Sequence, residues 1–246
     1  GSYDRGMTAV SSLGQVAGDL ARELDALAWR TPSHVYNPLR YAWDGYRQFL
    51  ERFGAGQGRV LLVGMNPGPW GMAQTGVPFG NVSAVREWFH IDMKLGRPLP
   101  EQHPKYPILG MACTRDEGSG KRLWGWAAER VGTPERFFEC FFTWNYCPLL
   151  FLGDGHNLIP SALSAQEQRQ MQAPCDAALA RVIERLDPQA VVALGRYAQA
   201  RVQSVVGDAL PVRYLLHPSP ANPMANRHWP AFAQEALGPW LPAPPG

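Results

Sequence analysis

Apolar residues recur along this chain with changing rhythm, and the changes mark out its elements. Over 12–29 they fall at Leu13, Val16, Leu20, Leu24 and Leu27, with Asp19, Arg22 and Asp25 between them, which predicts an amphipathic helix. A loop over 30–38, punctuated by Pro32 and Pro38, leads to a second helix over 39–53 with Trp43, Tyr46, Phe49, Leu50 and Phe53 on its apolar face. Val60, Leu61, Leu62 and Val63 form a short unbroken apolar run closed by Gly64, the pattern of a strand buried on both faces. Further strands are expected over 137–146, 190–194 and 212–216. Helical spacing returns over 81–90 (Asn81 or Ser83 as cap), 121–131, 165–186, 195–206 and 230–237. Pro174 predicts that the 165–186 helix either starts nearer to it or kinks there. The Pro- and Gly-rich 96–120 segment and 153–162 are expected to be irregular.

Strands separated by helices predict a parallel sheet with right-handed crossovers. The expected fold is therefore α/β: a single-domain, three-layer α/β/α arrangement around a central, mostly parallel four-stranded sheet. Residues 7–240 form that domain, with a helical wrap over 12–53 and a core over 59–240. GSYDRG, residues 1–6, reads as a cloning remnant, and 241–246 as a frayed tail.

Composition narrows the function classes. A hydrophobic content of 46% over 246 residues suits a chain that buries a full core. No apolar run is long enough to cross a bilayer, and no signal-peptide pattern opens the chain, so an intracellular protein is expected. Cys113, Cys140, Cys147 and Cys175 show no C-x-x-C spacing, which argues for free thiols and against a metal or iron–sulfur cluster. A net charge of +2 neither demands nor excludes nucleic acid, since a local basic face would suffice. No P-loop lysine or dinucleotide glycine pattern is present, so no cofactor is expected.

The chemistry concentrates just after the first strand, where RVLLVGMNPGPWGMAQTGVPFGN begins at Arg59 and ends at Asn81. A buried strand that runs into a rigid Pro/Gly loop is where open α/β sheets place ligands. GMNPGPWGMAQTGVPFG closely resembles the first motif of the single-strand-selective monofunctional uracil-DNA glycosylases. WNYCPLLFL at 144–152 and HPSPANPMANRHW at 217–229 match the same family in the same order, and looser similarity extends over 36–240. All three motifs lie at the carboxyl ends of expected strands, so they can converge on one crevice.

The resemblance implies a uracil-DNA glycosylase-like fold, excision of uracil from single- and double-stranded DNA, a monomer, and a place in the nucleus or the bacterial nucleoid and cytoplasm. Asn66 matches the family's water-positioning residue; an amide has no useful pKa, but its oxygen can orient a water. His217 matches the second catalytic residue, able to donate a ring N–H to uracil O2 as charge builds there. Phe79 matches the aromatic that stacks on the flipped base, and Asn145 the amide that reads its edge. Cytosine reverses the donor and acceptor pattern at that edge and would leave the amide mispaired. Met65 is expected to offer its backbone N–H to O2. Gly68 stands where strictly uracil-specific relatives carry a bulky blocking residue, which implies room on the C5 side and acceptance of 5-hydroxymethyluracil and other C5-oxidised uracils.

Gln74, Gly80, Ser219, Asn222, Met224 and Arg227 are expected DNA or pocket contacts. Ala221 departs from the family, which typically carries Arg there in the loop that wedges into the duplex. No lysine lies in the motifs as an amine nucleophile, so the reaction is expected to leave the strand intact. Two other classes compete: a catalytically silent binder of damaged or single-stranded DNA, and a thiol hydrolase using Cys147 with His217. Asn66 and His217 together argue against the first, and the absence of a helix N-terminus beside Cys147 argues against the second.

Overall fold

The computed structural model describes residues 2–244, with side chains from Leu13 onward; the first residue of the opening hexapeptide and the last two of the tail lie outside them. The strands are β1 (His34–Tyr36), β2 (Val60–Gly64), β3 (Phe141–Asn145), β4 (Leu150–Leu152), β5 (Asn157–Leu158), β6 (Ala190–Leu194) and β7 (Val212–Leu215). The helices are α1 (Ser2–Asp25), α2 (Pro38–Tyr41), α3 (Trp43–Phe53), α4 (Met72–Thr75), α5 (Val82–Glu87), α6 (Gly118–Val131), α7 (Pro134–Cys140), α8 (Ala165–Leu186), α9 (Arg196–Val206) and α10 (Pro223–Leu237).

A four-stranded sheet in the order β3-β2-β6-β7 forms the centre, and its three strand pairs are all parallel. Every residue of β2, β3 and β6 is buried. Successive side chains of a strand point to opposite faces, so complete burial means that both faces are covered, as the unbroken apolar runs imply. α9 packs on β6 and β7, α10 on β7, and α1 against α8 and α3. The register sets Gly64 beside Asn145 at the carboxyl edge of the sheet.

Several elements differ from the sequence reading. Residues 137–140 are not strand: α7 occupies Pro134–Cys140, and β3 starts at Phe141. Thr133 caps that helix by accepting from the Arg136 N–H, and Pro134 and Glu135 fill its first turn, start signals that outweigh the β-rich run behind them. The 30–38 loop contains β1, which pairs antiparallel with β4; β4 pairs in turn with β5, making a second small sheet. α8 runs through Pro174 from a start at Ala165, held by a capping box between Ser164 and Glu167. The last helix begins at Pro223, seven residues before the expected Pro230, because Asn222 Oδ1 accepts from the Met224 and Ala225 N–H groups. α1 ends at Asp25, short of 29, where the chain turns so that the Arg30 and Thr31 N–H groups meet the Glu167 carboxylate.

Candidate active site

The carboxyl ends of β2, β3 and β7 open onto one cavity of about 520 Å³. Met65, Asn66 and Gly68 line it from the loop after β2, Asn145 from the end of β3, and His217 from two residues beyond β7. Phe79, Ser219, Ala221 and Asn222 complete the set of expected residues that the fold brings together.

Asn66 has one of its two polar atoms committed: Nδ2 donates to the Leu149 carbonyl at 2.9 Å. A carbonyl can only accept, so this bond fixes which end of the amide is nitrogen and leaves Oδ1 free as an acceptor. Asn145 is buried, with Nδ2 against Met72 Sδ at 3.1 Å and Oδ1 unpartnered. Sulfur is a weak acceptor and a buried unpaired amide oxygen costs about 1–3 kcal/mol, so the side chain is poised for a polar ligand.

His217 accepts the Ser219 backbone N–H on Nδ1 at 3.1 Å, which puts the neutral ring's proton on Nε2. Burial pushes its pKa down to about 4, so the ring is neutral at physiological pH. Gly195, at φ +91°, lies behind it, where a Cβ would sit 3.4 Å from that of His217. Phe79 holds a φ of +55°, a left-handed conformation that costs a bulky residue about 1–3 kcal/mol and persists only when its surroundings impose it. The Trp124 indole N–H donates to the Phe79 carbonyl at 2.9 Å, and the Phe79 ring centroid lies 6.2 Å from that of His217.

Two site residues escape the sequence reading. Gly64, at the end of β2, has no room for a side chain because Asn145 Oδ1 and the Phe79 ring fill the space above it. Glu117 reaches in from the residue before α6, and its carboxyl rests on Gly68 so closely that a Cβ there would collide with it. The expectation of open space beside Gly68 is therefore corrected: a carboxyl from a distant segment holds that space. Burial raises the Glu117 pKa to about 7, against the opposing pull of the Trp70 backbone N–H. For Gly64, the glycine ending an apolar strand was a usable signal; for Glu117, nothing in its neighbourhood pointed to the pocket.

Other expected contacts lie elsewhere. Gln74 is buried and saturated: it donates to the Pro69 and Pro107 carbonyls and accepts from the Leu109 and Gly110 N–H groups, so it struts a loop and has no polar atom left for DNA. Gly80 is buried, packed on Val77 and Thr75, and is likewise corrected from contact to packing. Met224 and Arg227 are exposed on α10, outside the cavity and not in a loop. The oxygen of Asn222 is spent on capping α10. Cys147 is fully buried and does not line the cavity. Among the described residues no three His, Cys, Asp or Glu side chains come together as a metal site, and no helix is long and apolar enough to cross a membrane.

This arrangement can be set beside known proteins. Residues 51–238 match the family model of the uracil DNA glycosylase superfamily. The single-strand selective monofunctional uracil DNA glycosylase of Bos taurus is 46% identical over 207 residues, 82% of this chain and 76% of its own length. The chain belongs to the single-strand-selective monofunctional uracil-DNA glycosylase family. The Rattus norvegicus member is 45% identical over 223 residues, 89% of this chain and 80% of its own. A crystal structure of SMUG2 from Pedobacter heparinus shares the fold with a TM-score of 0.58 at 16% identity, covering 92% of this chain and 94% of that one. The family's three motifs thus meet at one sheet edge, although sequence separates them widely.

Proposed function

We propose that this chain hydrolyses the N-glycosidic bond of uracil in DNA, releasing the free base and leaving an abasic site in an intact strand. The observation that carries this reading is the unpartnered Oδ1 of Asn145, buried in the same cavity as Asn66 and His217. A base reaches such a cavity only from a single strand or after flipping out of a duplex, at a cost of a few kcal/mol. Phe79 stacks on it, and Asn145 accepts from N3–H and donates to O4. The Met65 N–H and the His217 Nε2–H donate to O2, where negative charge collects as the bond breaks. A neutral imidazole suits this step: it stabilises the anion as a donor without depending on protonation from solvent. Asn66 Oδ1 orients the water that attacks the sugar, with its amide held by Leu149. None of the described residues lining the cavity is a lysine, consistent with hydrolysis without an imine to the protein. The family resemblance, rather than free space at Gly68, extends the reading to 5-hydroxymethyluracil and related C5-oxidised uracils, in single- and double-stranded DNA.

The test is single-turnover release of uracil from a single-stranded oligonucleotide. Asn66→Ala and His217→Ala should each slow the step by about 10²-fold or more, the loss typical of one preorganised group worth about 2.7–4 kcal/mol, while oligonucleotide binding persists. Release at near wild-type rate by either variant would remove that residue from the mechanism. No release by the wild-type protein would leave only the silent binder.

A further inference from the structure

Beside the mouth of the cavity, two aromatic rings and two cations form a ridge for which the reaction above has no use. Trp70 and Tyr106 are both half-buried, with ring centroids 5.8 Å apart and planes inclined by 33°. The Arg115 guanidinium lies over the Trp70 ring, 4.1 Å from its centroid. The Tyr106 hydroxyl donates to the Gly155 carbonyl at 3.3 Å, and Lys105 extends over the same glycine, where a Cβ would come within 2.9 Å of its Nζ. The Tyr106 carbonyl accepts from the Tyr36 hydroxyl at 2.8 Å, so that ring is held at both ends. Trp70 neither belongs to the hydrophobic core nor packs against it, which leaves its indole available to a partner. Arg115 and Lys105 are exposed, and among the described residues neither side chain has a hydrogen bond or an ion pair. The carboxylate next to Arg115, that of Asp116, is taken by Asn81 Nδ2 and the Ser83 hydroxyl at 3.0 and 2.9 Å. Three segments build the ridge, and each also sends a residue into the cavity two positions away: Gly68 from Trp70, Glu117 from Arg115 and Asn157 from Gly155. Two residues span at most about 7 Å, so the ridge borders the cavity.

We propose that this ridge binds an unpaired nucleotide next to the one being excised, its base stacked on Trp70 and Tyr106 and its phosphates held by Arg115 and Lys105. This rests on the reading that the cavity takes a base from DNA. Rings interleaved with cations are what a sequence-tolerant single-strand site needs, because every base has a flat face and every linkage carries a negative charge. A base inside a duplex is already stacked on its neighbours and must give up that stacking to reach the ridge, so the site favours single strands.

The experiment has two arms. In the first, kcat/KM for uracil release is measured on a single-stranded oligonucleotide and on the same strand with abasic spacers on both sides of the uracil. The spacers should lower the wild-type value by about tenfold, the worth of one stacked base, but that of Trp70→Ala by less than about twofold. Trp70→Phe keeps a flat ring and should retain most of the spacer effect. Because each ratio is taken on one variant, partial loss of folded protein cancels. In the second arm, fluorescence anisotropy gives the affinity for a labelled thymidine oligonucleotide without uracil at several salt concentrations. Arg115→Ala should reduce the slope of log affinity against log salt by about 0.7, the share of one phosphate on a single strand, and Arg115→Lys should restore it. A full spacer effect in Trp70→Ala together with an unchanged salt slope in Arg115→Ala would overturn the proposal and leave the ridge as packing. No uracil release by the wild type would overturn the glycosylase reading, while the salt slope on the uracil-free strand would still decide whether the ridge holds DNA.

Discussion

His217 shows how a single backbone contact can set a side chain's chemistry. The Ser219 N–H takes Nδ1, so the proton must sit on Nε2, and burial pushes the pKa down to about 4. A depressed histidine pKa means that the neutral, donating form persists until the pH falls toward 4. The excision step should therefore show no acidic loss centred near 6.5, where an ordinary histidine titrates. The measurement is a single-turnover pH profile from 8 to 5 in the Glu117→Gln background, which removes the other titrating group of the cavity. A fall centred on 6.5 that vanishes in His217→Gln would contradict this assignment. The same depression links to folding: protonating the buried ring costs stability, so this contribution is full above about 6.5 and is lost as pH drops through 4.

At the scale of elements, caps decide more than apolar runs do. The Thr133 cap and Pro134 make a helix of residues that read as strand, and the Asn222 cap draws 223–229 into α10. Glu167 combines two jobs. It closes the capping box of α8 with Ser164, and it accepts from the Arg30 and Thr31 N–H groups and the Thr31 hydroxyl, tying the chain after α1 to α8. Burial works to raise its pKa, but these hydrogen bonds outweigh it and bring it down to about 2. A depressed carboxylate stabilises the fold above its unfolded pKa and ceases to as pH falls through the folded value. Glu167→Gln should therefore lower stability at pH 7 by about 2 kcal/mol, read from urea unfolding, and the gap between the two proteins should close between pH 4.5 and 2. A gap that stays constant over that range would show that charge plays no part.

For the whole molecule, the proposed action on duplex DNA would need a group that holds the flipped base out of the stack. The loop after His217 is braced from α6: Arg122 donates to the Pro218 carbonyl at 3.1 Å and to Asn226 Oδ1 at 2.8 Å, and Asn226 Nδ2 donates to the Pro220 carbonyl at 2.8 Å. The brace ends at Ala221, which is exposed at the cavity rim and has neither length nor charge to fill a gap in stacked bases. Single strands need little unstacking, a mismatched pair more and a matched pair most. Rates should fall from single strand to U·G to U·A, and Ala221→Arg should raise the U·A rate most. Single-turnover excision on the three substrates by both proteins checks this; equal wild-type rates on single strand and U·A, unchanged in the variant, would sink it.

The sequence by itself determined the parallel sheet, because continuous apolar runs such as Val60–Val63 can be buried only between two helical layers. It also determined that three motifs meet, because the carboxyl ends of parallel strands share one edge. Asn66, Phe79, Asn145 and His217 were legible for that reason: each follows a strand end within a short loop or lies in a motif that the family shares. What the tertiary structure alone decided concerns segments that meet without any periodic signal. β1 is three residues long and exists only because β4 pairs with it. Gln74 became a strut because Pro69, Pro107, Leu109 and Gly110 use all its polar atoms. Glu117 entered the cavity because Gly68 and Gly71 leave a space that its carboxyl fills. Hydrophobic periodicity records which face of an element is buried, but it carries no record of which distant polar group will find a partner there.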